Sequence, residues 1–169
     1  MLKSAIPIST RRRRQRGSET VEAGLITTIM FALIFLLLDI SLSLFIKVTL
    51  QEAVRQGVRF GVTEQMLAGD TYLSDSINKV VKQNAGGFIS NAGCQVTVSY
   101  FDPYGGVTTT PTSGSVLNVA VQGYQYTPLG AIFKSAAPVS INVQASDIME
   151  PCPAGGCPAA VNPTPPTCP

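Results

Sequence analysis

Histidine is absent from this sequence, which removes the commonest general base of enzymes and one of the commonest zinc ligands. A glycine-rich phosphate-binding loop, a nucleophile elbow and paired C-x-x-C spacings are missing as well. Two carboxylate pairs could be formed, by Asp70 with Asp75 and by Asp147 with Glu150, but exposed acids on a helix or at a strand end are usually solvated. The sequence therefore predicts a protein that is not an enzyme and that binds no metal or cofactor.

Charge is also scarce, above all between Ala23 and Ile46, where Asp39 is the only charged residue in 24. As a helix this run is ~36 Å long at ~1.5 Å per residue, enough to cross a bilayer core of ~30 Å with some tilt. A charge inside such a run is costly. Asp39 therefore either lies near the outer interface, where it reaches water, or pairs with a cation on a partner helix within the membrane.

The segment before the apolar run is basic and contains no acid. It carries six positive charges, whereas the chain from Ser18 onward has 6 basic and 10 acidic residues, a net charge of −4. Basic residues beside a first membrane helix keep that end in the cytoplasm, so they indicate topology rather than nucleic-acid binding. The arginines of this topology signal are Arg11, Arg12, Arg13, Arg14 and Arg16. We predict that residues 1–17 are a disordered leader and that the chain beyond about Lys47 is exported.

The processing signal is not that of an ordinary secreted protein, whose apolar core of ~7–15 residues precedes a small-residue cleavage site. Here the apolar run is longer and the residues after it lack such a site, and a twin-arginine signal would not be followed by glutamates. The stretch Gly17-Ser-Glu-Thr-Val-Glu22 resembles instead a class III prepilin signal. That resemblance implies that a prepilin peptidase cuts between Gly17 and Ser18, leaving the apolar helix in the mature chain with Glu22 as its fifth residue.

Glu22 has two interpretations in this context. A carboxylate at the edge of an apolar helix is costly unless paired, and the nearest candidate is the α-amino group of Ser18, on the same or on a neighbouring subunit. Such a pair would set the axial register of an assembly. Alternatively, Glu22 is recognised by the peptidase or is solvated at the interface.

The apolar helix is predicted to run from Ser18 to about Gly61, with its membrane part at about 23–46. Beyond the membrane part, Leu50, Val54, Val58 and Gly61 repeat every three or four residues and predict a buried stripe. Ala53, Gly57 and Gly61 form a second repeat of small residues, which lets another backbone approach closely. The sequence leaves open whether that backbone belongs to this protein's own sheet or to another subunit.

Residues 62–150 are predicted to form an exported domain of the α+β class. A helix over 71–83, capped by Asp70 or Thr71, presents one apolar face formed by Tyr72, Leu73, Ile77, Val80 and Val81. Alternating patterns then predict strands over 95–100, 116–126 and 139–148, with a turn over 102–106 and a loop over 108–115. We expect a small antiparallel meander of three strands.

The cysteines all fall in the predicted exported part, where disulfides persist, and they are Cys94, Cys152, Cys157 and Cys168. Three pairings are formally open. In a meander, Cys94 and Cys152 lie about a strand length apart, ~20 Å, too far for a bridge whose Cα atoms must be within ~7 Å. We therefore predict Cys152–Cys157 and Cys94–Cys168 in an otherwise irregular, proline-rich tail over 151–169.

A wider family resemblance begins at Gln51, with the stretch QEAVRQGVRFG. It resembles the post-membrane helix of TadE-like proteins, in which an alanine, an arginine, a glycine and a second arginine recur in that order. An acidic residue near the end of the family's apolar run is similar to Asp39, and the run from Val119 to Met149 resembles the family's closing hairpin. The resemblance implies a pseudopilin or minor pilin that acts in assembly of a tight-adherence (Flp, type IVb-like) pilus.

The same resemblance implies the partners and the location. The partners are the prepilin peptidase, other pilin or pseudopilin subunits and the pilus assembly proteins of the membrane, and no nucleic acid. The location is the bacterial inner membrane, crossed once, with a cytoplasmic N-terminus and a periplasmic or extracellular domain. The sequence leaves open whether the protein enters a surface pilus, caps it or stays in the membrane. The alternative is an uncleaved, single-pass anchored envelope protein whose exported domain binds a partner and which is unrelated to pili.

Overall fold

The structure is a computed structural model that describes residues 12–89, 96–129, 137–151 and 158–161. Two helices and four strands occur in these ranges: α1 (Arg12–Val62), α2 (Leu73–Asn84), β1 (Val96–Phe101), β2 (Val107–Thr108), β3 (Val116–Tyr126) and β4 (Val139–Ile148). The strands form one antiparallel sheet in the order β2-β1-β3-β4. The predicted α+β class is confirmed.

Helix α1 is longer than predicted, because it begins at Arg12 rather than at Ser18. The prediction of a disordered leader is therefore wrong for residues 12–17, while residues 1–11 lie outside the described residues. Arginine and glutamine are good helix formers, and no proline lies between Arg12 and Ser18. Extending a helix that already exists adds a hydrogen bond per residue without a new nucleation step, so the helix continues into the leader.

The first half of α1 contacts no other described element over most of its length. Every residue from Gly17 to Leu38 is exposed, although the segment is strongly apolar. Within the described ranges, α1 is the one helix that is long and apolar enough to cross a membrane. An apolar helix surface exposed on all sides fits a single-pass membrane segment.

The second half of α1 supplies one wall of the hydrophobic core. Leu50 and Val54 are fully buried and Val58 is nearly so, as the predicted stripe requires. They belong to one cluster with the apolar side chains of α2 and of the sheet, among them Leu73, Ile77, Val81, Leu117, Val119 and Val121. The core therefore lies between α1, α2 and one face of the sheet.

The repeat of small residues on α1 is used within the chain. A Cβ added at Gly61 would lie 2.5 Å from Leu117 Cδ2 and 2.7 Å from Ile77 Cδ1. A Cβ added at Gly57 would collide with the side chain of Val81. Of the two partners that the sequence left open, the repeat therefore seats this protein's own α2 and β3.

Helix α2 begins two residues later than predicted, and its cap is not the predicted one. Tyr72 occupies the N-cap position and makes no side-chain capping hydrogen bond. Instead the backbone N–H groups of Leu73 and Ser74 donate to the carbonyl oxygens of Ala159 and Ala160, at 2.9 and 3.0 Å. The described part of the C-terminal tail thus satisfies the first-turn donors that a capping side chain would otherwise take.

Asp70, predicted as a cap, has a different role. Its carboxylate accepts a hydrogen bond of 2.8 Å from the hydroxyl of Ser76 and forms an ion pair with Lys79. The hydrogen bond from Lys79, followed by that from Ser76, holds the pKa of Asp70 below its usual value. The hydroxyl of Ser76 also accepts from the backbone N–H of Leu67 at 3.1 Å. Asp70 therefore fastens the segment between the helices to α2.

The predicted meander is confirmed in the strands β1, β3 and β4. The structure adds the two-residue strand β2 between the predicted turn and the predicted loop, and its second residue, Thr108, was predicted as the start of that loop. The turn over 102–106 forms as predicted, with one carboxylate oxygen of Asp102 accepting from the backbone N–H groups of Tyr104 and Gly106 at 3.0 and 2.6 Å. This compact turn returns the chain so that Thr108 lies opposite Tyr100.

The strand register supports the argument that Cys94 and Cys152 are too far apart to form a bridge. It does not test the two pairings that were predicted instead. Val96 lies opposite Val121, which lies opposite Val143, while Ile148 lies opposite Val116 at the other end of β3. The start of β1 and the end of β4 are therefore at opposite ends of the sheet. All four cysteines lie outside the described residues, so both predicted pairings remain predictions.

A buried acid follows directly after α1. Glu64 has a left-handed backbone conformation, with φ of 53°, and is only 7% exposed. Burial raises its pKa above the ordinary value. The charge of Glu64, added to burial, also raises the pKa of Tyr100. Glu64 therefore makes the domain less stable whenever it is ionised inside the fold.

Replacing Glu64 with glutamine is expected to flatten the pH dependence of stability. Because the folded pKa of Glu64 lies above its unfolded value, the native state is favoured at low pH and this advantage is lost as pH rises through the folded pKa. The variant should therefore gain stability relative to wild type as pH rises above 4.5. Thermal unfolding of both full-length chains in detergent across this range measures the difference. A difference that does not change with pH would contradict this role.

Candidate functional site

The predicted prepilin signal lies on an exposed part of α1. Residues Gly17 to Glu22 are helical and every one is exposed. A Cβ added at Gly17 would meet nothing within 4 Å. The Gly17–Ser18 bond is therefore uncovered by the described part of the chain. Of the topology arginines, Arg12, Arg13, Arg14 and Arg16 lie in the preceding helical turns, and Arg11 is outside the described residues.

Glu22 and Ser18 are four residues apart on the same helix, so their side chains lie on one face, with Cβ atoms ~5–6 Å apart. This spacing also keeps Glu22 one turn away from the backbone nitrogen of Ser18. The α-amino group of Ser18 forms only if the Gly17–Ser18 bond is cut, so its pairing with Glu22 stays a prediction.

Asp39 is held by the end of β3 and the residues that follow it, an arrangement that neither prediction described. One of its carboxylate oxygens accepts hydrogen bonds from the hydroxyl of Tyr126, at 3.1 Å, and from the backbone N–H of Leu129, at 2.7 Å. These donors are 87 and 90 positions further along the chain, so no local pattern could have indicated them. The contact joins the end of the apolar run to the end of β3.

Aromatic rings cluster just beyond Asp39. Phe88 packs edge-to-face on Phe45 of α1, with ring centroids 6.1 Å apart, and on Tyr124 of β3, at 6.2 Å. Such T-shaped pairs are a favoured arrangement of aromatic rings. Together with Tyr126 these three residues form what we term the membrane-proximal face: Phe45, Phe88, Tyr124 and Tyr126.

A polar groove lies between the C-terminal part of α1 and strand β4. The groove is lined by Arg55, Arg59, Gln144 and Asp147, among others. Within the described ranges, no three acidic, cysteine or histidine residues cluster as metal ligands would. The groove thus brings charged and amide side chains of the two elements together.

A comparison with known protein families gives a match for α1, the helix that contains Gly17, Glu22 and Asp39. Residues 17–59 match the family model described as TadE-like protein. This segment is TadE-like. The comparisons with curated proteins and with solved structures gave no match.

The TadE-like segment begins at Gly17, the residue after which cleavage is predicted, and ends within the last turns of α1. It contains Glu22, Asp39 and the first glycine of the small-residue repeat, Gly57. The match therefore confirms the resemblance predicted for this part of the chain. It does not extend to the run from Val119 to Met149, so the resemblance of that hairpin stays a prediction.

Proposed function

We propose that this protein is a pseudopilin or minor pilin that acts in assembly of a tight-adherence pilus after a prepilin peptidase removes residues 1–17. The observation that carries the proposal is a TadE-like segment that starts at Gly17 and whose first part, residues 17–38, is an apolar helix exposed on all sides. Such a helix can be stored in lipid and then transferred into a bundle of similar helices without meeting water.

Cleavage at Gly17 would improve the electrostatics of α1. The N-terminal end of a helix carries partial positive charge, so a basic first turn is unfavourable and an acidic one is favourable by about 0.3–1 kcal/mol per residue. In the uncut chain, arginines occupy the first turns. In a chain that begins at Ser18, Glu19 and Glu22 lie in the first turns instead.

The freed amine of Ser18 then gives Glu22 a partner. On the same helix the two groups lie one turn apart, and in a bundle Glu22 of one subunit can reach the amine of its neighbour. An unpaired carboxylate surrounded by apolar helices is unfavourable by several kcal/mol, so packing that forms the pair is favoured over packing that does not. The pair therefore selects the axial register of neighbouring subunits.

The proposed partners follow from this life cycle. The prepilin peptidase acts on the cytoplasmic side, where the basic leader keeps the N-terminus. Other pilin or pseudopilin subunits supply the helices against which α1 packs, and the assembly proteins of the inner membrane move the subunit out of lipid. The domain over 62–150 lies on the periplasmic or extracellular side.

Replacing Glu22 with alanine tests the pairing role. We expect the variant to be cut but to enter pili about tenfold less than wild type, the effect of losing roughly 1.4 kcal/mol at assembly. Immunoblots measure the chain length, and the amount of protein in sheared pili measures assembly. Glu19→Ala is the matched control, because Glu19 is also exposed on α1 but is not the fifth mature residue. Normal processing together with normal assembly of Glu22→Ala would exclude the role.

A further inference from the structure

We propose that the exported domain itself rests on the outer surface of the bilayer that α1 crosses, with the membrane-proximal face seated among the lipid headgroups. This inference goes beyond a role in pilus assembly and does not depend on cleavage of the leader. It assigns a lipid surface as the partner of the aromatic side chains of this face, of which Phe88, Tyr124 and Tyr126 are only partly buried against the hydrophobic core.

The first argument is depth along α1. A helix crosses a hydrocarbon core of ~30 Å in about 20 residues. If the core begins at Ala23, the first residue after Glu22, it ends at about Leu42. Asp39 then lies ~4.5 Å inside the outer edge of the core. Because Asp39 binds the hydroxyl of Tyr126, the end of β3 lies at the edge of the core too.

The second argument is the direction of the sheet. At the far end of α1, the backbone N–H of Glu150 donates to the carbonyl oxygen of Val62 at 3.3 Å, just beyond the pairing of Ile148 with Val116. Strand β3 spans ~33 Å, and α1 from Asp39 to Val62 spans ~35 Å. The sheet therefore runs alongside α1 with the Tyr126 end of β3 towards the membrane and the turn at Tyr104 away from it.

The third argument is the chemistry of the face. Phe45 lies ~9 Å beyond Asp39 along α1, which places its ring at headgroup level together with Phe88 and Tyr124. Tyrosine and tryptophan are enriched at this level of a bilayer, and the face contains Tyr124 and Tyr126. Lys47 follows as the first cation after the apolar run, in a position to reach lipid phosphates.

The fourth argument is continuity with the membrane-spanning surface, which favours lipid over a second copy of the chain. Phe45 is 60% exposed, and Leu44 and Ile40 below it are 56% and 50% exposed. The apolar surface of α1 thus continues into the aromatic cluster without a charged side chain other than Asp39, whose carboxylate already accepts two hydrogen bonds. Lipid that surrounds the helix therefore extends to the domain.

A tryptophan introduced into the face provides the test, because the protein contains none. Full-length Phe88→Trp would be reconstituted in phosphatidylcholine–phosphatidylglycerol vesicles whose acyl chains carry bromine near the carbonyl end. We expect blue-shifted emission that is quenched by about half in brominated lipid relative to unbrominated lipid, since the ring lies at the interface. Tyr104→Trp is the control: it is 97% exposed at the far end of the sheet and should not be quenched.

Phe45→Trp repeats the measurement at a site whose exposed ring leaves room for the larger side chain, so that misfolding of one variant does not decide the outcome. The proposal would be overturned if Phe88→Trp and Phe45→Trp both showed the unshifted, unquenched emission expected of Tyr104→Trp. A blue shift that bromine does not quench and that disappears when the protein is diluted with lipid would also overturn it, because that result indicates contact between copies of the chain.

Discussion

Replacing Gly17 with valine is expected to leave the chain uncut, so that it runs 17 residues longer than wild type in cells that contain the peptidase. The physical reason lies in access to the scissile bond. In the structure this bond is helical, and a protease must unwind the helix locally to reach it. Glycine weakens a helix by about 0.5–1 kcal/mol relative to alanine, and valine removes that weak point while adding bulk at the cut.

This substitution should not disturb the fold, so a loss of cutting can be attributed to the cleavage site itself. A Cβ at Gly17 meets nothing within 4 Å, and the same holds for Gly24 on the same helix. Gly24→Val is therefore the matched control and should be cut normally. A gel shift in the presence and absence of the peptidase measures both variants. Normal cutting of Gly17→Val would show that the predicted site is wrong.

Replacing Gly61 with leucine is expected to destabilise the domain formed by α2 and the sheet by at least about 1–3 kcal/mol, the usual penalty of overpacking a core. A Cβ at this position would lie 2.5 Å from Leu117 Cδ2 and 2.7 Å from Ile77 Cδ1. These atoms belong to β3 and α2, so the added side chain is confined from both sides. The domain should separate from α1 while α1 itself stays helical.

Urea unfolding followed by circular dichroism, with limited proteolysis of the full-length chain in detergent, measures this effect. Gly24→Leu is the matched control, because it adds the same side chain to the same helix in open space. The Gly61 variant should be cut by protease within the domain at lower urea concentration than either wild type or the control. Equal resistance of all three would contradict the packing described for α1, α2 and β3.

Much of the fold could be predicted from local patterns in the sequence, namely the alternation of strands and the period of helices. Strands β3 and β4 begin and end at the predicted residues, because their alternating side chains face a core on one side only. The buried stripe of α1 follows from the helical period in the same way. The start of α1 was not predictable with the same rules, since the length of a helix in a basic segment depends on the helix it continues.

The other features that the sequence did not predict are contacts between segments far apart in the chain. The cap of α2 comes from the carbonyl oxygens of Ala159 and Ala160, and no pattern near Leu73 indicates them. The partners of Asp39 are similarly remote. A carboxylate within an apolar run needs a hydrogen-bond donor or a cation nearby, so the sequence indicated that Asp39 has a partner. Only the packing of the hairpin against α1 identifies the donors.

The candidate site was the most predictable part, because its signal is linear. A basic leader, a glycine, a glutamate five residues on and a long apolar run occur in one stretch, and the family match covers the stretch from Gly17 onward. The fold adds that this stretch is helical from Arg12 onward and that residues 17–38 are exposed. The helix is continuous on both sides of the Gly17–Ser18 bond, so the cleavage site is predicted from the sequence and not from the fold.

The mass of the mature N-terminal peptide, obtained from protein purified from membranes or pili, tests the central claim most directly. The account predicts that this peptide begins at Ser18 and that the apolar helix is still present. A chain that retains its leader, or one that has lost the apolar run, would contradict the account and leave an anchored or secreted domain in place of a processed pilin.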